Sequence, residues 1–254
     1  LREALSILCD MFFDSAFSEA DVESERGVIL EEIGMYADDP SDLDSEKLSA
    51  AVFHGTPLGR PILGRKATLD KMTGAWLKEY KQSHYTADRI ITLAGSFTGE
   101  ILDEIRARFS VMTPGKAKKL KRVTAQDSIV VKKKATEQNH LLAAFPAITD
   151  RDPRKYQMQL LSSILGGGMS SRLFQQVREK NGLCYTVYSY GTSYEDVGLF
   201  SIYTALGRAQ EPKAIACIRN VLTEFLQNGP TAEELDLVRE QSKANVLMGL
   251  ESTT

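Results

Sequence analysis

The stretch Thr113–Gln126, TPGKAKKLKRVTAQ, divides the chain near its middle. It holds one Pro, one Gly and five basic residues, and its few apolar residues follow no period. Such a run does not bury a face, so it reads as a linker between two folded parts. No aromatic residues interleave with its charges, which favours a solvated linker over a phosphate or nucleic-acid site. A chain of 254 residues is long enough for the two ordinary domains this implies.

The remaining composition narrows the class. Apolar residues make up 43% and charged residues 26%, the balance of a globular protein. A net charge of −3 gives no global case for nucleic acid. No run is long or apolar enough to span a membrane. Cys9, Cys184 and Cys217 form no CxxC and fall in apolar-periodic segments. They read as free, largely buried thiols in a reducing, cytoplasmic setting. Of His54, His84 and His140, no two share a helical turn, so the chain offers no His-rich metal site. Leu1 enters directly into an amphipathic helix and Thr254 directly follows another, which reads as an internal piece of a longer protein.

In the first part, helices are expected over Leu1–Phe13, Phe17–Tyr36 and Ser41–Phe53, then a turn-rich loop, HGTPLGRPILG. Thr73 opens a short helix, RIITLA (89–94) reads as a strand, and a helix runs from Thr98 to Phe109. After the linker, strands are expected at Ser128–Lys133, His140–Phe145, Cys184–Tyr190 and Leu199–Ala205. Helices are expected at Arg154–Leu165, Ser171–Lys180, Pro212–Gln227 and from the capping box at Thr231 to about Leu250. Gly166-Gly167-Gly168 lacks the GxxxxGK of a phosphate loop and reads as a turn between helices.

The helix Phe17–Tyr36 carries the informative pattern. Ser18 is a suitable N-cap, and Asp38-Asp39-Pro40 stops the helix. On a helical wheel Val22, Val28, Ile29, Ile33, Met35 and Tyr36 share a broad apolar arc. Glu25 and Glu32, two turns apart, fall inside that arc. Burying an ionised carboxylate is costly unless a cation or donors meet it, and a metal is one such partner. A solvated or salt-bridged edge, with Arg26 at hand, accounts for the pattern as well.

A second comparison bears on the choice. Laying Ser18 on Thr231 brings Val22 onto Leu235, Arg26 onto Arg239 and Ile33 onto Val246. Leu5, Leu8 and Phe12 then fall on Ile218, Val221 and Phe225. Glu25 meets Val238 and Glu32 meets Asn245, so the acidic pair belongs to one copy only. A repeated helix pair does not need these carboxylates to fold, which moves them towards function.

Three stretches, ESERGVILEEIGMYADDP, HGTPLGRPILG and GGGMSSRLFQQVREKNGLCYTVYSY, together resemble the insulinase/pitrilysin family of zinc peptidases. The resemblance is to its small bacterial members, related to the mitochondrial processing peptidase β subunit. It runs through essentially the whole chain in order. It implies an α+β fold of two related domains, each a mostly antiparallel sheet with helices against it. Residues 1–112 would be the C-terminal part of the zinc-site domain, 113–126 the linker, and 127–254 most of a substrate-engaging domain.

The family's inverted motif HxxEH supplies two zinc-binding His and a Glu that activates water. A distal Glu, matched here by Glu32, completes the ligand set, and Glu25 matches an acidic helper. Arg178 and Tyr185 match residues that hold the substrate backbone and stabilise the oxyanion. On the residues alone, the favoured reading is that Arg178 is a cation at a helix C-terminus and Tyr185 a strand core residue. HxxEH is absent from these 254 residues, so the resemblance implies zinc with an incomplete site. The implied activity is a zinc metalloendopeptidase acting on short or unfolded polypeptides, the piece itself being inactive. The implied partners are a peptide substrate and a second copy or paired family subunit, with no nucleic acid and no membrane. The rival readings are a non-catalytic subunit and a peptide-binding scaffold.

Overall fold

The computed structural model describes residues 1–87, 91–115 and 121–251. They form an α+β chain that divides into two compact units. One comprises Leu1–Met35 and Ile62–Lys121, the other Tyr36–Pro61 and Arg122–Thr254.

The first unit is helical among its described residues. It holds α1 (Arg2–Phe13), most of α2 (Glu19–Asp38), α4 (Lys66–Leu69), α5 (Gly74–His84) and α6 (Gly99–Phe109). The apolar stripe of α1 brings Phe12 and Phe13 against Phe109 of α6, with ring centroids 5.5 and 5.1 Å apart. Tyr85 closes the cluster on Phe12. Lys81 Nζ donates to Phe13 O at 2.8 Å and to Ser15 Oγ at 3.1 Å, meeting the open carbonyl end of α1. Ser18 caps α2 as expected: Asp21 N donates to Ser18 Oγ, which donates to Asp21 Oδ2. Two side chains then fix α2 on the α4–α5 connection. Arg26 donates to Leu69 O and Met72 O, and Glu19 Oε1 accepts from Gly74 N. A Cβ at Gly74 would stand 2.1 Å from Phe17 O, so only glycine permits this approach.

The second unit is built on an antiparallel sheet ordered β1 (Asn139–Ala147), β3 (Gly198–Leu206), β2 (Thr186–Ser193). Central β3 is buried along its whole length. Its alternate residues face opposite ways. Phe200, Ile202 and Leu206 join Val187 of β2 in a core with α7 (Lys155–Gly166), α8 (Glu211–Asn228) and the helical segment at 172–180. Leu199 lies in a smaller core with Val52 and Phe53, at the end of α3 (Pro40–Val52). The sheet is therefore a middle layer, with α3 on one face and the later helices on the other. The last helix, α9 (Ala232–Gly249), opens on the expected capping box and packs against α7. Arg172 ties its first turn down through Glu234 and Gly229 O.

Several expectations change. Pro40 begins α3 rather than only ending α2, and Asp39, not Ser41, is the cap, accepting from Ser41 N and Asp42 N. Proline's fixed φ suits the first helical position, where no backbone donor is needed. Residues 128–133 form no strand; Ile129 is 95% exposed. β propensity cannot make a strand without a neighbour to share the ladder. Of the strand expected at 89–94, residues 89 and 90 lie outside the described residues, and 91–94 carry no strand. The linker's 116–120 also lie outside them. Gly166 is not in a turn but is the last residue of α7, touching β2. All three cysteines are free, but only Cys9 is buried.

Candidate functional site

The candidate residues fall into two pairs, each within its own unit. Glu25 and Glu32 stand on α2, about 10 Å apart along its axis at 1.5 Å per residue. Both are exposed, which corrects the expectation that they aim at the core. The inward stripe of α2 is Val22, Arg26, Ile29, Leu30 and Ile33. The outward stripe is Glu25, Val28, Glu32, Met35 and Tyr36. A wheel places these apolar residues in one arc; only packing shows that half of the arc stays exposed among the described residues. Arg26, offered by the sequence as a partner, turns instead to Glu23 and two carbonyls. Among the described residues neither Glu25 nor Glu32 makes a hydrogen bond or ion pair.

The helix repeat holds in its spans: α1 and α2 lie over α8 and α9. It does not hold in its packing. Val238, matching Glu25, is 6% exposed, whereas Glu25 is exposed. Asn245, matching Glu32, is exposed as Glu32 is.

Arg178 and Tyr185 come together. Residues 174–180 form a π-helix, an i→i+5 hydrogen-bonded segment of a kind often found at functional sites. Leu173 and Val177 point into the core and anchor it. Gly182, at φ 58°, turns the chain back, and Leu183 N donates to Val177 O. Tyr185 thereby arrives just before β2, with its ring 4.5 Å from Arg178 Cζ. The neighbouring Cys184 thiol is pushed up from its ordinary pKa chiefly by burial, against a hydrogen bond with Thr204 and the charge of Arg178. Sequence reading missed a third member: the Phe174 ring lies 4.7 Å from the same guanidinium carbon. An aromatic residue four places before an arginine on a helix was the available signal.

Comparison with known proteins decides the family. Residues 71–242, more than half of the chain, match the family model described as the peptidase M16 inactive domain. The chain belongs to the M16, or insulinase, family of peptidases. Residues 1–66 match the insulinase (peptidase family M16) model itself. An uncharacterized zinc protease of Bacillus subtilis is 40% identical over 252 residues, which are 98% of this chain and 62% of that protein. An uncharacterized zinc protease of Streptomyces coelicolor is 33% identical, over 98% of this chain and 57% of that protein. The crystal structure of a peptidase M16 inactive domain from Pseudomonas fluorescens has a TM-score of 0.87 at 27% identity, covering 95% of this chain and 60% of that one. A protease from Helicobacter pylori, with a TM-score of 0.76 over 93% of this chain and 59% of that one, shares 19% identity and shows the fold alone. The M16 chain described here thus spans about three fifths of the length of its relatives.

The residues present do not make a zinc site by themselves. Among the described residues no three of His, Cys, Asp and Glu converge as metal ligands. Glu25 and Glu32, the two carboxylates the resemblance singles out, stand two turns apart on α2. No helix among the described residues is long and apolar enough to cross a membrane.

Proposed function

We propose that this chain is part of a zinc metalloendopeptidase that hydrolyses peptide bonds in short or unfolded polypeptides. The observation that carries the proposal is the outward stripe of α2. Two carboxylates without partners among the described residues stand in register among exposed Val28, Met35 and Tyr36. A solvated helix face has no use for that apolar surface, whereas a face completed by another segment has. In the second unit the matching helix α9 carries no carboxylate pair on this face, with Val238 and Asn245 at the two positions. The reading gives the α2 face a cover in the longer protein, carrying the HxxEH residues that these 254 lack. Glu32 would then supply a carboxylate ligand, and Glu25 would orient a neighbouring ligand.

Arg178 and Tyr185 take the substrate. The terminal nitrogens of Arg178 make no hydrogen bond among the described residues, and the Tyr185 side chain is open to solvent. An unoccupied guanidinium edge donates to a peptide carbonyl, and a phenol beside it adds a second donor. Donors held in place before the substrate arrives are what charge developing on a carbonyl oxygen requires. Zinc, where bound, supplies the Lewis acid for this chemistry. A homodimer or a paired family subunit is the assembly proposed.

The test is zinc content per chain in the full-length protein, with and without Glu32→Gln. One equivalent of zinc lost in the variant is expected, because a neutral amide is a poor third ligand. Full zinc occupancy in Glu32→Gln would remove Glu32 from the site. A folded full-length protein without zinc would make it the non-catalytic subunit or scaffold instead.

A further inference from the structure

We infer that Phe174 is a positioning residue for Arg178, acting through the face of its ring rather than by touching the substrate. The inference rests on the reading of Arg178 as a substrate-binding residue. Phe174 sits between Leu173 and Val177, both with no exposed surface, yet it belongs to neither hydrophobic core. Its recorded ring contact is with the guanidinium, 4.7 Å from Cζ, and Tyr185 meets the same carbon at 4.5 Å. Among the described residues no ring pair joins Phe174 to Tyr185. The arginine is thus the element that both rings share. Residues four apart share one face of a helix, which sets the Phe174 ring beside the Arg178 guanidinium.

The physical effect is on freedom of motion. A free arginine side chain samples many rotamers, and binding a carbonyl must freeze them. Rings against the planar group hold its faces and leave its N–H edge to point away from them. Among the described residues only Nε is engaged at that edge, by Glu179 Oε1 at 3.5 Å. Arg178 keeps 32% of its side chain exposed, and its terminal nitrogens make no hydrogen bond among the described residues. A lysine would keep the charge and lose the stack, because an ammonium has no face.

The experiment uses the full-length protein and reads the stack and its consequence separately. The Arg178 Nε–H resonance, assigned by its loss in R178K, reports the rings through their ring-current shift. It should move towards the free-arginine position in F174L and stay in place in F174Y. Binding of a fluorescein-labelled unstructured peptide is then followed by anisotropy in zinc-depleted protein, so that turnover plays no part. F174L should weaken binding about 3- to 10-fold, as loss of a cation–π contact implies, while F174Y rescues it. In an R178Q background F174L should add nothing further. An unmoved resonance in F174L overturns the inference. So does an equal loss of affinity on adding F174L to R178Q, which would put Phe174 on the peptide itself. Unchanged affinity in R178Q, with the resonance still shifted by F174L, leaves the stack standing and overturns the reading of Arg178 as a substrate residue.

Discussion

Replacing Gly166 by alanine tests the layer arrangement of the second unit. Helix propensity alone says that Gly→Ala stabilises a helix by up to about 1 kcal/mol. The structure says the opposite here. A Cβ at residue 166 would stand 2.3 Å from Ser189 N, 2.7 Å from Ser189 Oγ and 2.9 Å from Tyr188 C. Two of these are backbone atoms of β2 and cannot swing aside, so α7 and β2 must part by about 1 Å to reach ordinary contact. Overpacking of this kind costs about 1–3 kcal/mol. The separation also stretches the buried hydrogen bond from Ser189 Oγ to Ser162 O, 3.0 Å long, whose loss adds about 1–2 kcal/mol. Net of the propensity gain, the expected loss is about 1–4 kcal/mol. Urea unfolding followed by far-UV circular dichroism measures it as a lower midpoint at unchanged slope. Gly34→Ala is the control. It lies inside α2 with nothing within 4 Å of the added carbon, and should gain about 0.5–1 kcal/mol. A Gly166→Ala protein as stable as the parent would show that α7 does not rest on β2 as described.

Other expectations follow from single contacts. Arg172 donates to both carboxylate oxygens of Glu234, at 2.6 and 2.7 Å, and to Gly229 O; Arg172→Ala should cost about 1–3 kcal/mol, the pair being part-exposed, and an unchanged midpoint would sink this. The same bonds, the Arg172 hydrogen bond first, hold the Glu234 carboxyl below its usual range. Its folded pKa is depressed, so its contribution is present above the unfolded value near pH ~4.3 and fades as pH falls through the folded value. Arg172→Ala should therefore flatten the acid limb of a stability–pH curve, and parallel limbs would refute the coupling. Asp44 has the opposite sign: burial pushes its carboxyl up, against the nearby His140, and its Oδ2 has no partner among the described residues. Ionisation above the unfolded value then works against the fold, so Asp44→Asn should gain about 1 kcal/mol at neutral pH and nothing below about pH 4, by thermal melts; a destabilised variant at neutral pH would count against it. Arg26→Met, which strips two carbonyls at residues 69 and 72 of their donor, should cost about 2–3 kcal/mol, and a neutral result in the same urea assay would contradict the anchoring of α2.

Much of this protein was decided locally. Ser18, Thr73 and Thr231 accept from backbone amides at the starts of their helices, as their types and spacing require. Gly182 and Gly229 stand at positive φ where two helices close. The three motif stretches and their order pointed to the family. Such features depend on neighbours within a few residues, and these a sequence supplies. The direction of a face is different. The arc of α2 contains both its half-buried and its exposed apolar residues, and only tertiary structure, with Arg26 held by the carbonyls of Leu69 and Met72, decides that Ile29 and Ile33 turn inward while Val28, Met35 and both carboxylates do not. The strand propensity of 128–133 went unused for the same reason, since a ladder needs a partner. Tertiary structure alone brought Phe174 and Tyr185 onto one guanidinium, because a π-helix, a glycine turn and the start of a strand had to meet at one point. It alone showed why residue 166 is glycine, since the atoms that forbid a side chain there belong to β2.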